Sequence, residues 1–133
     1  NKQIKCLIKI SKLLIKKYNI NKNKILGHSD IAPLRKIDPG EKFPWKFLNK
    51  KKIGIWHNAN SKKLKSLRKK NSKENLSEFI NYLKKVGYNI EYSNLEELKK
   101  IIKVFQMRFR PELVNGKFDL ECFNIAKSLN NIK

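Results

Sequence analysis

The chain is poor in the residues that build covalent or metal frameworks. Its two cysteines, Cys6 and Cys122, lie far apart with no metal-ligand spacing around them. That excludes a disulfide-built scaffold and a cysteine zinc motif, and it leaves the redox compartment open. There are two histidines, His28 and His57, and no carboxylate precedes Asp30. No apolar run approaches bilayer length, so no transmembrane segment is expected. Arginine is scarce as well: Arg35, Arg68, Arg108 and Arg110 are the only four, and lysine carries nearly all of the +21 net charge. Readers of nucleic acid favour arginine where bidentate contacts matter. The charge therefore has two readings. One is a solvated lysine surface left by the drift of an AT-rich coding sequence; the other is a basic face for an anionic partner, wall polymer or nucleic acid. At 133 residues the chain has room for one core or two small ones.

Against this background the stretch GHSDIAPLRKIDPGEKFPW, residues 27–45, concentrates what is rare elsewhere. It holds His28, three of the four prolines and one of the two tryptophans, together with Asp30, Arg35, Lys36, Asp38 and Glu41. Imidazole nitrogen and carboxylate oxygen are zinc donors, and a hydrolytic site keeps a coordination position open. A proline-stiffened loop can fold back so that His28 and Asp38 converge on one ion. Lys36, two residues before Asp38, lies on the same side if the segment is extended and is a cation suited to stabilising an oxyanion. An ordinary hydrogen-bonded loop histidine is the competing reading of His28. Ser29 and Asp30 are equally suited to satisfying backbone groups of the loop, and Trp45 to packing beneath it.

Around this loop the apolar spacing predicts helices and one strand. Ile4, Leu7, Ile8, Leu14, Ile15 and Tyr18 define an amphipathic helix from Lys2 to Tyr18. KILGH predicts a short buried strand at 25–27, Pro33, Pro39 and Gly40 keep 29–42 irregular, and a short helix is expected from Pro44. IGIW, residues 53–56, reads as a brief strand or tight turn. Residues 57–71 are charged and poor in large apolar groups, the pattern of a linker or loosely docked connector. Three helices follow, from Asn75 or Ser77 to Gly87, about Leu95 to Phe109 before Pro111, and about Asp119 to Leu129. Phe105 and Phe109 share one helical face and are expected in the core, while Gly116 and Asp119 shape a turn and cap the last helix.

The loop closely resembles the C-terminal zinc-ligand segment of the type 2 N-acetylmuramoyl-L-alanine amidases, which carries His-Ser-Asp-Ile-Ala-Pro, then Arg-Lys-x-Asp-Pro-Gly, then Phe-Pro-Trp. The resemblance implies that His28 and Asp38 are two of three zinc (Zn2+) ligands, that Lys36 lies at the reacting carbonyl, and that the substrate is peptidoglycan, cut between N-acetylmuramic acid and L-alanine. GYNI and VFQMRFRPELVNGKFDLECFNIAKSL, residues 87–90 and 104–129, resemble the three-helix peptidoglycan-binding module that follows the catalytic domain in envelope amidases of this type. The implied fold class is an α/β amidase-domain remnant (helix, strand, metal loop) followed by a small all-α three-helix bundle, mostly helical by content. The implied division is 1–56 as the C-terminal part of the catalytic domain, 57–71 as linker and 72–133 as the peptidoglycan-binding-like domain, with residues 1–56 marginal alone. Periplasmic or envelope localisation follows from the module, and no nucleic-acid partner is expected.

The family's first zinc histidine and its catalytic glutamate have no counterpart here, and His57 falls outside the motif. The first residues have the pattern of helix interior and do not begin with Met. The expectation is a catalytically incomplete chain, with an upstream polypeptide supplying the missing ligand. A non-catalytic peptidoglycan-binding module is the alternative, and a basic nucleic-acid binder comes third.

Overall fold

The computed structural model describes residues 2–70 and 73–132. Helical apolar spacing dominates the outcome, with seven α-helices and no β-strand among the described residues. Helix α1 (Lys2–Tyr18) has the expected bounds, yet it buries no residue fully. Leu7, Ile8 and Ile15 lean on a small cluster of Trp45, Leu48 and Ile53. Leu14 and Tyr18, expected on the same covered face, are exposed, as are Ile10 and Leu13.

The strand expected at 25–27 does not form. Its backbone groups are met by side chains instead of a ladder: Arg108 Nη2 donates to the Ile25 carbonyl at 3.2 Å and Gly27 N–H donates to Asp30 Oδ2 at 2.6 Å. Gly27 is then the extended N-cap of a one-turn helix, α2 (His28–Ile31), inside a stretch read as wholly irregular. Helix α3 (Trp45–Lys50) starts one residue later than expected, with Pro44 as its N-cap. After it the chain makes a tight turn, with Lys52 and Gly54 at φ 65 and 70, and IGIW leaves that turn without strand pairing.

The connector 57–71 is more ordered than its composition suggests; its last residue, 71, lies outside the described residues, as does residue 72, the first of the expected second domain. Asn60 caps helix α4 (Ser61–Leu67) by accepting from Lys62 N–H and Lys63 N–H, and Leu64 is buried in the main core. Helix α5 (Leu76–Val86) ends at Gly87, and helix α6 (Leu95–Phe109) is capped by Asn94 and carries Glu96 and Glu97 in its first turn. Helix α7 (Leu120–Asn130) starts at its cap Asp119, whose carboxylate accepts from Cys122 N–H at 2.9 Å.

The core joins α5, α6 and α7 through Phe79, Leu83, Ile101, Phe105, Ile125 and Ala126. Full burial of a large apolar side chain contributes about 1.5–3 kcal/mol, so this cluster is the main stabilising mass. It also takes in Ile55 and Leu64, so it extends beyond the three helices. Helix α6 explains why. Every residue from Val104 to Arg110 is buried, because α2 and α3 cover the side that a surface helix leaves to water.

Gln106 lies within that buried run. Its Oε1 accepts from Asn115 N–H and Gly116 N–H, at 2.9 and 2.8 Å, and its Nε2 donates to the Lys117 carbonyl at 2.9 Å. It thereby fixes the turn before α7. Gly116 sits there at φ +69, with a Cβ position only 3.1 Å from the Lys99 carbonyl oxygen, so the turn requires glycine.

The two thiols differ. Cys6 is exposed on α1, whereas Cys122 is buried in the core and burial pushes its pKa up to about 12. A thiol reagent at pH 8 is expected to titrate one thiol per native chain and two in denaturant. Two fast native thiols would mean that α7 is not packed as described.

Candidate metal centre

The loop is shaped from beneath. A Cβ on Gly27 would lie 2.9 Å from the Pro39 ring and 3.3 Å from that of Trp45, so glycine alone lets residues 38–40 seat against residue 27. Ser29 N–H donates to the Asp38 carbonyl at 2.9 Å, closing the loop on itself. Asp30 points the other way, into the protein, where its carboxylate is 1% exposed and forms a buried ion pair with Arg108. The Arg108 guanidinium stacks over the Trp45 ring at 4.0 Å. Beside the pair, burial and then the Asp30 charge raise the Tyr88 phenol well above its ordinary pKa, so it stays neutral.

With residues 27, 29 and 30 held in this way, His28 is left facing outward. Its Nδ1 lies 3.2 Å from Asp38 Oδ2, and the two side chains are 55% and 62% exposed. An exposed pair of this kind contributes at most about 1 kcal/mol to stability. Its geometry fits a shared ion. Zinc–nitrogen and zinc–oxygen bonds of about 2.0–2.2 Å in a tetrahedron put two such donors about 3.4 Å apart. Lys36 is exposed on the same loop, and its backbone N–H donates to the Ala32 carbonyl at 2.9 Å.

His28 and Asp38, ten residues apart, are therefore brought together. No group of three metal-ligating side chains converges among the described residues. His57 is stacked on Trp56 with a centroid distance of 5.1 Å and does not join the His28–Asp38 pair. Arg108 went unnoticed in the sequence, although it anchors the floor of the site from 78 residues away. Its scarcity in a lysine-rich chain was the available signal.

No protein-family model matches the chain. It is 36% identical over 129 residues to N-acetylmuramoyl-L-alanine amidase AmiD of Escherichia coli, a match that takes in 96% of this chain and 47% of that protein. The structure of E. coli AmiD with anhydro-N-acetylmuramic acid-L-Ala-D-γ-Glu-L-Lys superposes with a TM-score of 0.81 at 34% identity, over 96% of this chain and 50% of the other. AmpDh3 of Pseudomonas aeruginosa, in complex with anhydromuramic pentapeptide, gives a TM-score of 0.79 at 29% identity, over 96% and 51%. The chain is homologous to E. coli AmiD over nearly its whole length, and it spans about half the length of the relatives it matches.

Proposed function

We propose that this homologue of the muramyl-peptide amidases is the C-terminal part of a zinc-dependent peptidoglycan amidase, cutting the amide between N-acetylmuramic acid and L-alanine in the cell envelope. The observation that carries the reading is the convergence of His28 Nδ1 and Asp38 Oδ2 at 3.2 Å on the surface. The pair does little for stability itself, yet a buried ion pair, a glycine contact and a tryptophan all serve to present it.

In this reading His28 and Asp38 hold zinc, which supplies Lewis acidity for amide hydrolysis. Lys36 turns its ammonium toward the scissile carbonyl and neutralises the charge that develops on oxygen. A third ligand and a general base come from polypeptide outside these 133 residues, which also covers the apolar stripe of α1. Lacking that base, the chain alone is slower by about 10²–10⁴-fold. Residues 1–56 belong to the catalytic domain, and residues 72–133 are a wall-binding module joined to it through 57–71. Close likeness to AmiD and AmpDh3, both solved with muramyl peptides, supports the substrate class.

Zinc titration of the chain tests this. One zinc per chain is expected. His28→Ala and Asp38→Ala are each expected to weaken binding by at least the ~10–100-fold that loss of an outer-shell partner costs a metal site. Lys36→Ala leaves zinc affinity unchanged, because an ammonium is not a ligand. Zinc affinity that is the same in all four proteins would sink the proposal.

A further inference from the structure

A cavity of about 270 Å³ lies between the 41–46 segment, Trp56–His57, α4 and the end of α6, and the metal reading makes no use of it. His57 Nδ1 is buried at this place without a hydrogen-bond partner, in a fold where most buried polar atoms are satisfied. Burial lowers the pKa of His57, the Phe109 backbone pulls it the other way, and the positive charge of Lys46 lowers it further. The ring is therefore neutral, with one donor nitrogen and one acceptor.

The walls supply two further requirements. Aromatic surface is one: Trp56 lies 5.8 Å from Phe109, and Phe43 lies 4.8 Å from Trp45. Charge is the other. Among the lining carboxylates, Glu121 and Glu112 are paired with Arg68, and among the lining cations Arg108 is paired with Asp30. Arg68 and Arg110 together offset two of the three carboxylates Glu112, Glu121 and Asp119, so Lys42, Lys46 and Lys65 stand against Glu41 and one further negative charge, a small excess of positive charge at an aromatic cavity. The volume falls at the lower end of small-molecule sites and suits a single ring.

We propose that this cavity is a second glycan site, taking one N-acyl amino-sugar ring that bears a free carboxylate. The inference rests on the peptidoglycan reading and extends it. Hydrolysis of the muramyl–alanine bond breaks the C–N link, leaving the lactyl carboxylate on the sugar and the amine on the peptide. The carboxylate exists only after cutting, so the site recognises product glycan. The ring lies against Trp56, its hydroxyl or amide group meets the edge of the half-buried His57 imidazole, and the carboxylate meets the lysines. Binding there holds the chain on strand it has already stripped.

The test is calorimetric titration of the full chain with N-acetylmuramic acid, N-acetylglucosamine and N-acetyl-L-alanine. N-acetylmuramic acid is expected to bind about tenfold more tightly than either of the others, since only it offers both the ring and the anion. Lys46→Glu, an exposed change that spares the fold, is expected to weaken it about fivefold. His57→Phe is expected to remove the preference for the sugar while its melting temperature reports whether it folds. Sugar binding is expected to persist in metal-free His28→Ala, and its loss there would assign the sugar to the metal loop and overturn this reading, so failure of the zinc reading and failure of this one appear in separate experiments. Equal binding of the two sugars, binding of N-acetyl-L-alanine as tight as that of the sugar acid, or indifference to Lys46→Glu would each overturn the assignment.

Discussion

Arg108→Met is expected to destabilise the chain by about 3–5 kcal/mol at pH 7, measured by urea denaturation. The Arg108 and Asp30 side chains are 2% and 1% exposed, so removing the cation leaves an uncompensated carboxylate in the interior, held by the Gly27 N–H beside the Tyr88 phenol. Two further losses follow. The Ile25 carbonyl loses its donor, and Trp45 loses the guanidinium it packs beneath. Because Asp30 fixes the turn that presents His28, the variant is also expected to bind zinc more weakly than the parent. The double variant Asp30→Leu/Arg108→Met separates charge from packing. Replacing both partners by apolar groups is often neutral, so much of the loss should return, short of the share that Asp30 contributes by capping Gly27. A single-variant loss below about 1 kcal/mol would mean that the pair does not hold the site.

This anchor also shows where the sequence stops being readable. Helices α1, α5 and α6 were legible because apolar side chains recur every three or four positions and breakers stand at their ends, Gly87 after α5 and Pro111 after α6, although the start of α5 stayed open between Asn75 and Ser77. The pairing of His28 with Asp38 was legible for a different reason, since the residues around them resemble a long, specific motif. The segment 25–27 was not. Two apolar residues before a glycine fit a strand as well as an extended N-cap, and the deciding partner, Arg108, stands 83 residues from Ile25. Helix α4 was missed because lysines crowd its apolar positions, although Asn60 stood at the cap to be read.

Composition hid a second signal. Lysine is abundant and largely exposed, and its number says little about any one position. Arginine is scarce, and three of the four arginines form ion pairs with carboxylates: Arg68 with Glu112 and Glu121, Arg108 with Asp30, and Arg110 with Asp119 and Glu121. The planar fork of arginine holds two oxygens at once and gives up its water more readily than an ammonium. These three arginines stand where a point charge such as lysine's would serve less well, and each of the three marks a joint of the fold.

The second of these joints gives the other large effect. Arg110→Leu is expected to cost about 3–5 kcal/mol at neutral pH, and the cost should shrink as the solution is acidified. The Arg110 side chain is fully buried and donates through Nη1 to Asp119 Oδ2 at 2.7 Å and Glu121 Oε2 at 3.0 Å. Arg68 grips the same Glu121 from the far side, at 2.6 and 2.8 Å, tying the end of α4 to the start of α7. Burial alone would raise the Asp119 carboxyl. Hydrogen bonds from Cys122 N–H, Arg110 and Lys69 N–H together outweigh it and hold the group below its ordinary pKa. A carboxyl depressed in the folded state contributes stability above its unfolded pKa, near 4, and loses it as pH falls through the folded value. Leucine at position 110 removes one source of that depression and leaves burial in place, so the folded pKa rises. The variant then regains ground on the parent as pH falls through the variant's folded pKa and on through the parent's, which lies below about 4. A loss due only to packing does not depend on pH. Denaturation midpoints of both proteins across that range decide the matter: a gap that narrows in acid assigns the joint to charge, and a constant gap assigns it to shape.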